Sequence, residues 1–549
     1  MNRKTILNGL LFVALTLALL LPRLPGLASF ATADEPYWLS MGANFYYALG
    51  QRQFQNTVYE YQPAVTTMWI VTAAMIAYFP SYRGLGQGYL DFEKGVLDPF
   101  LLAHGKDPLI LLRDARLLQV LLIVALLLVM FYLLRRLIGD GLALAATLFV
   151  SFDPFFLGQS RLLDHEALLA LFVVISSLAL AVYLYQGRQF RFLILSAAAG
   201  GLAQLTKSSA IAVLAPIGFL LLLDFLERRK ILDSLKDFGM WLALLAVTYV
   251  VFWPGMWVAP GKMLSVVYGN AFSYAFEGAR LIALNNNDAT SIGLDTNPGS
   301  FGSLIYTIFW RTTPLTWLGL LLGILFPFMR DPKLATVSTR RISALMGIAA
   351  LAFILMFGLA QGRNSPHYLL TTYVALNVLA GMGWFTASRW LAGRVRWAWL
   401  PNALLTLAVA AQAVSALAAY PYYFTYEDPL LPKGAKPQFA YGEGLELAAQ
   451  YLAQLPGAKD STALVYYSRG CFSYFYPGRT ERFKPYFVDA GHEQDLADAM
   501  NSADYLVLYN AVQGGLDKYA SLFASFANVK PEKEIWLDGY LYAVVYRLR

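Results

Sequence analysis

The chain has 549 residues, 58% of them hydrophobic and 14% charged, and its mean hydropathy is +0.50. No soluble domain of this length has that composition, so the sequence predicts a polytopic membrane protein. The net charge of +7 does not indicate a nucleic-acid partner, because the basic residues of membrane proteins collect in cytoplasmic loops. The single cysteine, Cys471, excludes an intrachain disulfide.

Apolar stretches of spanning length recur through the first 420 residues. Eleven are predicted to cross the membrane: about 5–22, 114–136, 140–157, 165–186, 191–206, 208–225, 238–257, 313–329, 342–360, 367–388 and 397–419. Basic clusters at 3–4, 135–136, 188–191, 228–230, 340–341 and 389–396 all fall on one side if the N-terminus is cytoplasmic. The positive-inside rule therefore predicts a cytoplasmic N-terminus in the cell membrane and an exoplasmic C-terminal region. The first run is interpreted as a retained span rather than a signal peptide, since no small-residue cleavage motif follows it directly.

The first outer loop, residues 23–113, carries Asp34 and Glu35 beside aromatic residues, shortly after the first span. A carboxylate at the membrane surface can remove a proton from an acceptor hydroxyl. Alternatively, Asp34 caps a surface helix that has Pro36 in its first turn. The apolar piece 63–79 is predicted to be a surface-lying or re-entrant helix, because counting it as a span would reverse every later loop.

Three further segments at the predicted outer face carry charge. Lys207 lies between two apolar runs, where an ammonium needs an anionic partner or water; it is predicted to bind a phosphate, and a simple turn is the alternative. Arg161 and Asp164 lie three residues apart before the fourth span. Either Arg161 faces a phosphate while Asp164 orients it or the sugar, or the two side chains form a structural ion pair. Arg363 and His367 are predicted to add to a phosphate-binding surface, or else to be solvated in a turn.

No other residues near His165 have metal-ligand spacing, so no metal site is predicted, although a divalent metal is not excluded. Walker, Rossmann and nucleophile-elbow patterns are missing from the sequence, which argues against a cytoplasmic nucleotide-using enzyme.

A second outer loop is predicted at 258–312, and from about residue 421 the hydropathy falls to that of a small soluble domain. Segments 444–455 and 493–499 are helix-like there, and segments 463–467, 505–509 and 540–546 are strand-like. The predicted fold class is thus an α-helical polytopic membrane protein of about eleven spans, residues 1–420, with a small exoplasmic α/β domain, residues 421–549.

The order of these features resembles the GT-C glycosyltransferase superfamily, in particular its protein O-mannosyltransferase and aminoarabinose-transferase branch. The resemblance covers roughly residues 5–420. Its motifs are the acidic pair Asp34-Glu35, Tyr61-Gln62-Pro63, Ser160-Arg161-Leu162-Leu163-Asp164, Gly201-Leu202-Ala203-Gln204-Leu205-Thr206-Lys207 and Pro366-His367-Tyr368-Leu369-Leu370. The chain departs from the family pattern at Gln62, where His is common, and at His367, where Arg is common.

The resemblance implies a membrane enzyme that moves a sugar from a polyprenyl-phosphate donor to an acceptor on the outer face, with inversion at the anomeric carbon. Asp34 is then the general base and Glu35 its orienting or acceptor-binding neighbour. Lys207, Arg161, His367 and Arg363 are predicted donor-phosphate contacts, and Asp164, Gln62 and Tyr368 are predicted to orient the substrate. No cofactor is implied, since the lipid-linked sugar is a substrate; membrane lipids are expected partners and the acceptor stays unidentified. A transporter or lipid flippase is the alternative, and an inactive relative acting as a scaffold is a third possibility.

Overall fold

The structure is a computed structural model that describes the chain except residues 1–2, 60, 87–96, 278–300, 326–335, 361–364, 433–439, 485–486, 488–490 and 510–519. Its residues form two compact units by their contacts. The first comprises Met1–Pro25, Phe45–Ile70 and Leu117–Leu431, and the second comprises Gly26–Asn44, Val71–Arg116 and Pro432–Arg549. The predicted boundary at residue 420 stays a prediction.

The elements of the first part of the chain are helical. They are α1 Arg3–Leu20, α2 Glu35–Gly50, α3 Val65–Tyr78, α4 Tyr82–Leu85, α5 Leu97–Ala103, α6 Pro108–Ile138, α7 Asp140–Ser151, α8 Pro154–Gln159, α9 Glu166–Tyr185, α10 Phe190–Thr206, α11 Leu214–Arg228, α12 Ile231–Phe252, α13 Gly255–Val258, α14 Pro260–Leu264, α15 Asn270–Glu277, α16 Phe301–Arg311, α17 Pro314–Leu325, α18 Val337–Leu359, α19 Leu370–Ala392 and α20 Leu400–Leu417. Short 3₁₀ turns include Ser208–Val213 and Pro366–Leu369.

Within the described residues, seven helices are long and apolar enough to cross a membrane, or eight if the bent pair α16 and α17 is one span. The two members of that pair meet at 108°. Each of the eleven predicted spans coincides with one of these helices or with a shorter apolar helix. One shorter apolar helix, Val65–Tyr78, matches none of the predicted spans. It falls in the piece 63–79, which was predicted to lie outside them. A multi-pass membrane protein is thereby confirmed, while the count of eleven stays a prediction.

The core of the first unit is built around α9, which is apolar on every side and has its whole spanning window buried. It packs against α10 and α19, and α19 in turn packs against α7 and α17. Small residues allow the last of these contacts: a Cβ added to Gly383 would collide with the backbone oxygen of Gly319. Helices in a membrane pack closely where such residues face each other.

A buried polar network joins four helical segments of this unit. Thr313 Oγ1 donates to Gln412 Oε1 at 2.6 Å, and Gln412 Nε2 donates to Thr316 Oγ1 at 3.3 Å. Thr316 Oγ1 donates to Asn377 Oδ1 at 2.8 Å, and Asn377 Nδ2 donates to Asp153 Oδ2 at 3.1 Å. Because these side chains are fully buried away from water, each polar group needs such a partner.

The second unit contains a five-stranded sheet. Its elements are α21 Leu445–Ala453, β1 Thr462–Val465, α22 Gly470–Ser473, β2 Arg479–Arg482, α23 Glu493–Ser502, β3 Tyr505–Tyr509, α24 Ala520–Ser525, β4 Lys533–Leu537 and β5 Tyr540–Arg547. The strand order is β2-β1-β3-β5-β4, with β1 parallel to β2 and β3, and β5 antiparallel to β3 and β4. The predicted small α/β region is confirmed.

Candidate functional site

Glu35 is the first residue of α2 and is fully buried. Its Oε2 accepts hydrogen bonds from both the backbone N–H and the hydroxyl of Thr32, each at 2.8 Å. Arg116 approaches the same carboxylate with two donors: Nε lies 2.6 Å from Oε1, and Nη2 donates to Oε2. This two-pronged geometry is the strongest form of carboxylate pairing. Glu35 therefore fixes the start of α2, and its predicted role of orienting Asp34 or binding the acceptor stays a prediction.

Arg116 was not predicted from the sequence to belong to this site. It is buried, and its remaining Nη1 donates to the backbone oxygen of Leu27 at 2.8 Å, while the guanidinium lies 4.9 Å from the ring centre of Phe30. One arginine thus ties together residues 27–35, the segment that carries both carboxylates. The available signal was a charged residue inside an apolar stretch, because such a residue nearly always has a partner.

Asp34 directly precedes α2 and is half-buried. Its backbone oxygen accepts from the N–H of Trp38, as expected at a helix start, and its Oδ2 accepts from the Tyr441 hydroxyl at 2.9 Å. The position at a helix start fits the capping alternative, and the half-buried carboxylate fits the general-base prediction. The geometry is compatible with both, and the assignment stays a prediction.

Lys207 is buried at the end of α10, in extended conformation. Its Nζ donates to Glu166 Oε1 and lies 3.7 Å from the ring centre of Tyr368. Glu166 opens α9 and Lys207 follows the last turn of α10, so both charges are placed where the helix dipoles favour them. The buried ammonium is thus held by one carboxylate and one aromatic face, and its predicted phosphate contact stays a prediction. Glu166 was not singled out from the sequence.

The neighbouring segment before α9 is also buried. Asp164 Oδ1 accepts from the His165 N–H at 2.6 Å and lies 3.1 Å from His165 Nδ1, while His165 Nε2 lies 3.6 Å from Glu166 Oε1. The structure thus brings Asp164, His165 and Glu166 together with Lys207.

Arg161 donates to the backbone oxygens of Arg23, Pro25 and Pro421, and its guanidinium lies 4.9 Å from the ring centre of Tyr423. These backbone acceptors give Arg161 a structural role that differs from the predicted ion pair with Asp164, and that ion pair stays a prediction. The predicted phosphate contact stays a prediction.

The remaining predicted residues lie in the first unit or outside the described residues. His367 is buried in the turn before α19 and packs edge-on against Tyr368, with 4.6 Å between ring centres. Gln62 is buried, and its Nε2 donates to the Tyr61 hydroxyl at 3.1 Å. Arg363 lies outside the described residues.

The two sets of predicted residues belong to different units. Asp34 and Glu35 are in the second unit, whereas Lys207 and its predicted companions Arg161, Asp164, Gln62, His367 and Tyr368 are in the first. Among the described residues, no group of three or more His, Cys, Asp or Glu side chains is placed to hold a metal ion.

Comparisons with known proteins agree with this architecture. Residues 112–253 match the family described as dolichyl-phosphate-mannose-protein mannosyltransferase. No curated protein matches the chain.

Solved structures match over nearly the whole chain. ArnT from Cupriavidus metallidurans bound to undecaprenyl phosphate is 14% identical with a TM-score of 0.53, covering 98% of this chain and 97% of that one. The same protein in the apo state is 14% identical with a TM-score of 0.52, covering 99% and 98%. The archaeal oligosaccharyltransferase AglB from Archaeoglobus fulgidus, in complex with an inhibitory peptide and a dolichol-phosphate, is 12% identical with a TM-score of 0.50, covering 93% and 70%. The fold that the resemblance implies is confirmed.

Proposed function

We propose that this chain, a multi-pass membrane protein with the fold of the GT-C glycosyltransferases, moves a sugar from a polyprenyl-phosphate donor to an acceptor on the outer face of the membrane. The observation that carries the proposal is the buried Lys207 ammonium with its Glu166 and Tyr368 neighbours. Two proteins of the same fold are complexed with polyprenyl-type phosphates, undecaprenyl phosphate and dolichol-phosphate. An ammonium held at the end of α10 is the kind of group that binds such a phosphate.

In the proposed reaction the acceptor hydroxyl or amine attacks the anomeric carbon directly, which inverts its configuration. The bond from that carbon to the phosphate oxygen breaks, and the polyprenyl phosphate leaves with the electron pair. Asp34 accepts the proton of the acceptor. Lys207 stabilises the negative charge that grows on the departing phosphate, as a preplaced cation does best in a site with little water.

Glu35 and Arg116 are proposed to act through Asp34 rather than on the substrate. Their buried pair fixes the backbone that carries Asp34, and a base contributes most when its direction is set before the substrate arrives. No cofactor takes part in the proposal.

The test is incubation of the purified protein in lipid with a panel of polyprenyl-phosphate sugars, following cleavage of the donor and labelling of acceptors. Wild-type protein should consume at least one donor, in EDTA as well as without it, and Asp34→Asn should not. If the donor crosses the membrane uncleaved, the protein is a lipid transporter and the proposal is wrong. If no donor is cleaved or moved, a scaffold role is favoured instead.

A further inference from the structure

The acidic segment is held by a second contact, made by the C-terminal region within the same unit. The Ala33 N–H donates to the backbone oxygen of Tyr441 at 2.7 Å, and the Tyr441 hydroxyl donates to Asp34 Oδ2 at 2.9 Å. Ser468 Oγ donates to the backbone oxygen of Ala33 at 3.2 Å. Tyr441 therefore binds both the backbone before Asp34 and its carboxylate.

The Tyr441 ring is itself fixed. It is 4% exposed, and its backbone N–H donates to Glu443 Oε2 at 2.8 Å. The next residue, Gly442, has φ +103° and donates its N–H to the Tyr509 hydroxyl at 3.1 Å. A Cβ at Gly442 would collide with the sulfur of Cys471, so only glycine fits this bend. The position of the Tyr441 hydroxyl is thus set by contacts with β3 and its surroundings in the second unit.

A hydroxyl that donates to a carboxylate does two things. It favours the ionised form, which is the form a general base needs, and it restricts rotation of the carboxylate. We propose that Tyr441 is a positioning residue for Asp34, which makes residues 440–444 of the C-terminal region part of the machinery of transfer. The inference rests on the function proposed above. The proton of the acceptor goes to Asp34, and Tyr441 keeps its own proton throughout.

The experiment compares Tyr441→Phe with wild type in the donor-cleavage assay across a range of pH. Losing one hydrogen bond to a charged group should lower kcat roughly tenfold to a hundredfold and leave the donor KM within about twofold. The acid limb of the rate profile should move to higher pH, because the carboxylate form has lost a donor.

Tyr476→Phe is the matched control. Tyr476 is also buried in the second unit and its hydroxyl bonds to Ser461, away from the acidic segment, so its removal should leave the rate and the pH profile unchanged. A second test uses Asp34→Asn with Tyr441→Phe. If Tyr441 acts through Asp34, the double variant should be no slower than Asp34→Asn alone.

The possible outcomes are distinct. If the wild type is active but the acid limb of Tyr441→Phe does not shift, this inference alone is overturned. It is also overturned if the double variant is slower than Asp34→Asn by the same factor that Tyr441→Phe costs on its own. A wild type that cleaves no donor overturns the proposed function and this inference with it.

Discussion

Replacing Arg116 by methionine should destabilise the second unit strongly. The substitution keeps most of the side-chain volume but leaves the fully buried Glu35 carboxylate with Thr32 and without its two guanidinium bonds. Breaking one partner of a buried ion pair costs about 3–5 kcal/mol.

Cys471 provides the assay. It is the single cysteine of the sequence and is fully buried in the same unit, and burial raises the pKa of its thiol well above the usual range. A thiol reagent therefore reacts only when the unit opens. When the unit opens and closes faster than the reagent reacts, the labelling rate of Cys471 follows the equilibrium population of the open state. The stability lost in Arg116→Met should therefore accelerate labelling between about a hundredfold and a few thousandfold.

Arg113→Met is the control, because Arg113 lies on the same helix but is 52% exposed and pairs with Asp114 at the surface. Its effect should stay within about 0.5 kcal/mol. Combining Arg116→Met with Glu35→Leu removes both charges and should recover most of the lost stability. Equal labelling rates for Arg116→Met and Arg113→Met would refute the view that this pair holds the acidic segment.

Three further outcomes follow from the site and the topology. Asp34→Asn keeps the size of the side chain but cannot accept a proton, so turnover should fall about a hundredfold or more while donor binding survives; near wild-type turnover would leave only the capping role. Lys207→Ala should raise the donor concentration needed for half-maximal rate on the order of tenfold to a hundredfold, and an unchanged donor dependence would make Lys207 a structural residue. Reporter fusions should be cytoplasmic at residue 232 and exoplasmic at residue 430, and a cytoplasmic signal at 430 would contradict the predicted topology.

The membrane helices could be predicted because hydropathy is a property of single segments. Every predicted span coincides with a helix. Val65–Tyr78 is apolar as well, and only the positive-inside rule led to the prediction that it is not a span. In the C-terminal region β1, β3 and β5 were predicted from their apolar residues. The strands β2 and β4 were missed because they are short and carry charged, exposed side chains at the ends of the strand order.

The site was predicted only in part, because partners distant in sequence leave no local pattern. Asp34 and Lys207 stand out by their position at the edge of apolar runs. The pairing of the acidic residues does not stand out: Arg116 is a charge inside an apolar stretch but lies 81 residues from Glu35, and Tyr441 lies 407 residues from Asp34. Glu166 lies 41 residues before Lys207, and no local pattern pairs the two.

The buried polar network also has a consequence for how the protein is made. Thr316 precedes its partner Asn377 by 61 residues, and Thr313 precedes Gln412 by 99. At about 5–20 residues per second of synthesis, the bent pair enters the bilayer roughly 3–12 seconds before Asn377 and 5–20 seconds before Gln412. During that interval its hydroxyls must be satisfied by water, by the insertion machinery or by their own helix. We therefore expect the pair to be retained at the insertion site until α19 and α20 emerge, so the order of translation is part of how this bundle closes.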